Sequence, residues 1–474
     1  MRTKILPIVI LLIYSLSVSS QIIMEKVSDY VVDEFALTID GGFGQAINGK
    51  SFQQDIIVTH SGYQYLAYYD SARNVCLGRR KVSEKKWEII RFKDYYFKSN
   101  DAHNTISIGI CPNDGTIHLA FDHHGHFLHY RISEKGVASQ PKEVEWKTSL
   151  FGPVVSDLEA GNPIKITYPR FWQTPEGELQ FCYRRGGSGN GDRMLVDYNS
   201  KTGKWENTRQ IDSGKGLFKD RVGESKTRCS YPNGYTYSLD GILHATWVWR
   251  ESSQGANHDL VYVFSKNQGK TWLNNSGEVL PKPPNVNSPD ITVADIERTY
   301  GLMNTHGQDV DSKGQIHVVM WHCSDESLEK VGSNPGDERW GPLLARRYHH
   351  YWRNPDGSWN HTELPWVAGT RPKIFIDKSD DIFLIYSTRD NNLDEDHKLS
   401  YNEQDLIIAC ATKKSGYSDW QIIHVEKGPF VNEMLADYYL WKKKRILSVV
   451  VQEMPEQKHQ PTPLRVLDFS FSKK

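Results

Sequence analysis

Seven times along this chain, a turn is followed by a strand-like run of alternating apolar residues. The copies are HSGYQYLAYYD at Gly62, NDGTIHLAFD at Gly115, PEGELQFCY at Gly177, LDGILHATWVW at Gly241, SKGQIHVVMW at Gly314, SDDIFLIYS at Asp381 and KKKRILSVVV at Lys444, at intervals of 53 to 73 residues. A period of that length restricts the fold more than any other feature. One unit cannot bury its own apolar face, so neighbouring units must stack. A second signal runs in step with the first. Turns ending in Trp close most units, at Trp87, Trp205, Trp272, Trp359 and Trp420. Two strands, a connection and two more strands about a Trp turn make a four-stranded unit. Seven of them predict an all-β, seven-bladed β-propeller of four-stranded antiparallel blades. A pair of β-sandwiches would explain the strands but not the period. Residues 22–40, containing YVVDEFALTID, are expected to add a strand to the blade built from the C-terminal LRVLDFSF, which closes the ring and removes open sheet edges. Helix signals are scarce throughout.

The best Trp turn, Ser265 to Trp272, resembles the Asp-box of sialidase-type propellers, with Asn267 in place of the Asp. Such a box is a structural turn between outer strands and carries no chemistry.

The first twenty residues read as a secretory signal peptide: Arg2 and Lys4, an apolar run from Ile5 to Val18, and small residues before Gln21. No cysteine follows the run, so no lipoprotein anchor is expected. Residues 21–474 are expected to be one secreted or periplasmic propeller domain, soluble and monomeric. A net charge of −1 argues against nucleic acid or an anionic membrane as partner. Six scattered cysteines with no CxxC read as buried free thiols.

In a propeller blade, the start of the innermost strand and the end of the second strand share one face. Those ends carry His103 and His123 in blade 2, Tyr168 and Arg184 in blade 3, and Arg228, Tyr231 and Arg250 in blade 4. Blade 1 offers Gln53, Tyr69 and Asp70, blade 5 Asn304 and His322, and blade 6 Arg371 and Arg389. A near-neutral chain thus acquires a basic mouth, which favours an anionic ligand, and arginine suits a carboxylate. In the DHHGH run, His124 and His126 read as solvated or supporting residues. The run is too crowded into one turn for a catalytic zinc site, and no HExxH is present. A structural Ca2+ or Zn2+ remains open; no catalytic metal or organic cofactor is expected.

No convincing carboxylate pair for glycoside hydrolysis reaches this mouth; Asp70 and Asp122 are the nearest candidates. Elimination across a uronic acid needs different parts. A cation neutralises the carboxylate, a base takes the C5 proton, and an acid protonates the departing O4. His, Tyr and Arg can supply them.

From GGFGQAINGKSFQQD through the DHH turn to WVWRE, the chain resembles the BNR-4 family of seven-bladed propellers. That family contains propeller ulvan lyases and L-rhamnose-α-1,4-D-glucuronate lyases. In its lyases two histidines, a tyrosine and an arginine form the active centre, and their order and spacing of 20, 45 and 16 residues match His103, His123, Tyr168 and Arg184. The resemblance implies that His123 and Tyr168 are the base and acid, in an order it leaves open, and that Arg184 with His103 neutralises the carboxylate. Arg228 and Tyr231 are looser matches for substrate binding, and Arg250 joins them from its place at the mouth. The implied function is a lyase acting on a uronic-acid-containing glycan, with rhamnosyl-glucuronate of plant arabinogalactan type first and ulvan second. A rhamnosidase- or sialidase-like hydrolase and a non-catalytic glycan-binding propeller are the other readings. Some relatives were first read as rhamnosidases using a histidine near SFQQD on the opposite face, where this chain has Gln53 and Gln54.

Overall fold

The computed structural model describes residues 22–473 apart from 42–43, 54, 160, 252–255, 282 and 389–404. The signal-peptide reading, Gln54 and Arg389 therefore lie outside the described residues.

The seven repeats form seven antiparallel sheets arranged as blades. Each expected turn except the last joins a first and a second strand. In blade 1, for example, Ile57–His60 pairs with Tyr63–Tyr69 about Gly62, and in blade 5 Gly307–Val310 pairs with Ile316–His322 about Gly314. At Gly177 only glycine fits: φ is +82°, and a Cβ there would come within 2.5 Å of Asn113 in the preceding blade. The N-terminal strand Ile22–Ala36 runs antiparallel to the C-terminal strand Thr462–Lys473, from Ile22 opposite Lys473 to Ala36 opposite Thr462. The two chain ends thus close blade 7, as expected, and the ring has no free gap there.

Blade contacts explain the spacing of the Trp turns. The indoles of Trp205, Trp359 and Trp420 start outer strands and meet rings of the preceding blade edge-on: His118 at 5.5 Å, Tyr262 at 5.3 Å and His350 at 5.6 Å between centroids. Such edge-to-face pairs add to the gain from burial. In the turn at Asn267, the Ser265 hydroxyl accepts from Gly269 N–H at 2.8 Å and the Asn267 side-chain oxygen accepts from Thr271 N–H at 2.9 Å. Asparagine thus makes the hydrogen bond for which an Asp-box uses aspartate. All six cysteines are buried and free.

Four stretches depart from the four-stranded expectation. Blade 2 has three strands, Ile106–Ile110, Ile117–Phe121 and Tyr130–Ile132. The segment between its second and third strands, His124–Phe127, pairs instead with the innermost strand of blade 3, Lys165–Gln173, which makes that blade five-stranded. Blade 4 gains Lys215–Asp220, which pairs with the first residues of a fifteen-residue strand, Gly223–Tyr237. At the seventh repeat a helix, Tyr438–Lys444, replaces the turn. Asp437 caps it by accepting from Leu440 N–H at 2.9 Å, Leu440 and Trp441 are buried, and three lysines occupy its last turn. Those charges complement the helix dipole. Among the described residues no helix is long and apolar enough to cross a membrane.

Candidate active site

Between Thr167 and Arg170 the innermost strand of blade 3 is out of step with its partner: Thr167 faces Arg184, and Arg170 faces Cys182. Two residues stand against one, a β-bulge, and Tyr168 takes the strain with φ at +53°. A bulky residue ahead of a proline disfavours that conformation, so the surroundings must hold it. The Ser107 hydroxyl from blade 2 donates to Pro169 O at 2.6 Å. The bulge swings the phenol out of the sheet to the start-of-strand face of the ring.

There Tyr168 is enclosed. Phe52 stacks on it at 4.8 Å and 7°. The Arg184 guanidinium lies 4.8 Å from its ring and 5.2 Å from that of Tyr231. His103 and His124 both approach to 5.9 Å. The two imidazoles stack on each other at 4.3 Å, and one carboxylate serves both. Asp101 takes His103 Nδ1 on one oxygen and His124 Nδ1 on the other, the latter at 2.6 Å. Using Nδ1 on Asp101 makes Nε2 the nitrogen at the opposite edge of each ring.

Arg184 is 1% exposed and forms no ion pair among the described residues. Its Nη1 donates to Cys229 Sγ at 3.3 Å, while Nε and Nη2 have no hydrogen-bond partner. A buried guanidinium with idle donors is costly unless something anionic completes it. Burial pushes the Tyr168 pKa well above its usual value, Tyr231 adds to the rise, and Arg184 opposes it. Burial also lowers the His103 pKa, against the pull of Asp101. Asp101 itself sits far below the usual carboxylate range: burial works to raise it, and the hydrogen bonds from both histidines prevail.

Of the expected site residues, His103, Tyr168, Arg184, Tyr231 and Arg250 gather here. His123 does not. It is fully buried, its Nε2 accepts from His129 N–H at 2.7 Å, and its ring stacks on His129 at 5.5 Å. Successive residues of an extended strand point to opposite sides, so a one-residue step puts His124 beside Tyr168 instead. His126 is exposed, as expected. Arg228 is also turned inward. Its Nε pairs with Glu251 at 2.7 Å, and its other nitrogens donate to the carbonyls of Gly214, Gly216 and Ser225. An arginine with all three nitrogens engaged inside the fold and its charge paired with a buried carboxylate is not presented to substrate. Arg371 is bound by Glu433 at 2.6 and 2.7 Å and stacks over Phe52 at 4.4 Å. His322 is buried, stacked on His349 at 3.5 Å and bonded to Tyr351. Asn304 and Gln53 are buried as well. Asp70 holds Asn74 and Arg91, and Asp122 is taken by Tyr95 and Asn104.

Sequence reasoning missed Phe52, Asp101, His124 and Cys229. Asp101 was the most accessible of these, standing two residues before His103. Asp101, His103 and His124 also offer three ligand atoms within 4.8 Å of one another, a set that could hold a metal ion. The hydrogen bonds from both Nδ1 atoms satisfy the Asp101 carboxylate without one.

The profile of the BNR repeat-containing family matches residues 63–366. An ulvan lyase, long isoform, of Pseudoalteromonas sp. (strain PLSV) is 24% identical over 328 residues, 56% of this chain and 31% of that protein. An ulvan lyase, short isoform, of Alteromonas sp. (strain LOR) is 25% identical over 306 residues, 53% of this chain and 55% of that protein. The chain thus spans about a third of the long relatives and just over half of the short one. The crystal structure of the polysaccharide lyase Uly1 superposes with a TM-score of 0.69 at 17% identity, covering 94% of this chain and 99% of that one. A PL25 ulvan lyase bound to -[GlcA(1-4)Rha3S]- superposes with a TM-score of 0.65 at 12% identity, covering 92% and 95%.

Proposed function

The chain belongs to the BNR repeat-containing family, and from that premise we propose that it is a polysaccharide lyase that cleaves the bond to O4 of a glucuronate by β-elimination. The observation that carries this is the buried Arg184, whose Nε and Nη2 have no hydrogen-bond partner, lying over the ring of a strained Tyr168. Arg184 and His103 take the uronate carboxylate and neutralise it, which makes the C5 proton acidic enough to remove. Tyr168 and His124 exchange the two protons, one taken from C5 and one given to O4. His124 fills the role that the family spacing gives to His123. Its raised pKa keeps Tyr168 protonated, the form from which it could donate to O4. To act as base it must first lose its proton, which bound substrate and Arg184 would have to favour. The carboxylates nearest the site, Asp101 and Asp122, are both engaged in hydrogen bonds, which supports elimination over a two-carboxylate hydrolysis.

The glycan we place first carries L-rhamnose α-1,4-linked to D-glucuronate, as on plant arabinogalactans. Ulvan is the second reading, favoured by the relatives' names. The protein would act outside the cytoplasm as a monomer.

Incubation with rhamnosyl-glucuronate glycan or with ulvan should raise absorbance in the ultraviolet band of an unsaturated uronate. Release of sugar without that chromophore would overturn elimination, and binding without turnover would favour a lectin-like propeller. Tyr168→Phe and His124→Ala should each lower kcat by about 10²–10⁴-fold, the usual worth of a general acid or base. His123→Ala should cost mainly stability. Full activity of His124→Ala together with an inactive, well-folded His123→Ala would return the role to His123.

A further inference from the structure

Phe52 belongs to the SFQQD stretch, to which the proposed chemistry gives no part. It stands in the turns of residues 48–53 ahead of blade 1, and it is 7% exposed. These turns are pinned from several sides. Glu433 N–H donates to Gly49 O at 2.9 Å, and Ser51 N–H donates to the Glu433 carboxylate at 2.8 Å. Gly49, with φ at +78°, packs so closely on Asn432 that a Cβ would come within 2.6 Å of it. Gly49 N–H also donates to the Gln53 side chain at 2.8 Å, which in turn donates to Ala67 O of blade 1 at 3.3 Å. From blade 2, the Ser107 hydroxyl stands 3.1 Å from Gln53 O and 2.6 Å from Pro169 O, so it ties these turns to the bulge that carries Tyr168.

The ring held there meets three blades. It stacks on Tyr168 of blade 3 at 4.8 Å and 7°, lies 4.8 Å from the ring of His103 of blade 2 at 38°, and has the Arg371 guanidinium of blade 6 over it at 4.4 Å. Glu433 takes that guanidinium on both carboxylate oxygens, at 2.6 and 2.7 Å. A guanidinium over an aromatic face and an offset ring stack are both attractive. They matter because of what a phenol needs. Its oxygen lies on the axis about which the ring turns, so a hydrogen bond there fixes the oxygen and leaves the plane free. The torsion itself is soft and two-fold. Packing must therefore hold the plane, and at Tyr168 it must also hold a strained backbone, with φ at +53°.

We propose that Phe52 is a positioning residue, clamped by Glu433 and Arg371, whose ring fixes the plane of Tyr168 and its spacing from His103. It acts through those two side chains and does not touch substrate. This rests on the lyase reading for the reaction that is served, but not for the clamp itself.

Phe52→Leu keeps a buried apolar side chain and loses the flat ring. On the glycan that the wild type turns over, it should lower kcat by about 10²-fold, the cost of a displacement of about 1 Å at a reacting group. KM and melting temperature should stay close to those of the wild type. Arg371→Lys keeps a charge for Glu433 but brings no planar group over Phe52, and should show the same split between kcat and KM at smaller size. A wild-type kcat in Phe52→Leu, or a loss carried wholly by KM, would overturn the clamp. Should Phe52→Leu not fold, an unchanged kcat in Arg371→Lys would do so. A second measurement needs no substrate. In protein labelled with [ε-13C]tyrosine, Tyr168 is identified by its absence from the spectrum of Tyr168→Phe. A clamped ring flips slowly and gives separate lines for its two ε carbons, which should merge in Phe52→Leu. A single line in the wild type would overturn the clamp. If no glycan yields unsaturated product but the lines merge in Phe52→Leu, the lyase reading fails and the clamp stands. If product forms equally fast with and without the Phe52 ring, the clamp fails and the lyase reading stands.

Discussion

Asp101 ties the two histidines of the candidate site together. It holds the Nδ1 of His103 and of His124, so it fixes both tautomers and the stacked arrangement of the two rings. Asn at this position keeps the shape, but its amide nitrogen cannot accept from an imidazole N–H. Asp101→Asn should therefore lower kcat by about 10–100-fold, the usual cost of losing a partner that orients a histidine, with KM and melting temperature changed far less. A melting temperature that falls along with activity would mark Asp101 as merely structural. The sequence showed His103, Tyr168 and Arg184 because strand ends can be counted from turn glycines. It could not show that His124 rather than His123 faces them. That choice depends on a single step of strand parity, and here His124–Phe127 leaves blade 2 to pair with blade 3.

At the scale of the element, the hairpin of Lys215–Asp220 and the start of Gly223–Tyr237 is secured by buried polar side chains of blade 4. Arg228 donates to two of its carbonyls, Gly216 and Ser225, to that of Gly214 just before it and to Glu251, and His258 lies between Glu251 at 2.9 Å and Asp259 at 3.0 Å with Phe218 stacked on it at 3.8 Å. Removing one partner of a buried pair leaves an uncompensated charge. Arg228→Met should thus cost about 3–5 kcal/mol in urea unfolding. Were Arg228 a substrate ligand, the same change would instead raise KM with stability intact. Its inward course could not be foreseen, because an arginine at a strand end looks the same whether it faces glycan or a glutamate. The blade count was legible from turns and tryptophans, whose spacing follows from how blades stack. The helix Tyr438–Lys444 was not, since the KKKR run reads as a turn until Leu440 and Trp441 are seen to be buried.

For the whole molecule, closing the ring brings residues of several blades together around a cavity of about 190 Å³. Asp55 and Lys373 line it together with Trp172, Tyr438 and Tyr439. Burial, then Asp437, pushes the Asp55 pKa up to about 7, against Arg170 and Lys373. Burial, then Arg170, pushes Lys373 down to about 7. Their effects on stability have opposite signs. From about pH 4 to pH 7 the folded chain keeps a proton on Asp55 that the unfolded chain has lost, so stability falls as pH rises. From pH 7 to about 10 the unfolded chain keeps a proton on Lys373 that the folded chain has lost, so stability rises again. The pair should therefore contribute a minimum near neutrality, with arms of up to ~1.4 kcal/mol per pH unit. Asp55→Asn/Lys373→Met removes both groups. Urea unfolding of wild type and double variant at pH 5, 7 and 9 gives the pair's share by difference. The variant should gain most at pH 7 and least at the two extremes. A gain that stays flat from pH 5 to pH 9, or is smallest at pH 7, would show that the two groups remain charged as an ion pair, and the minimum would be absent.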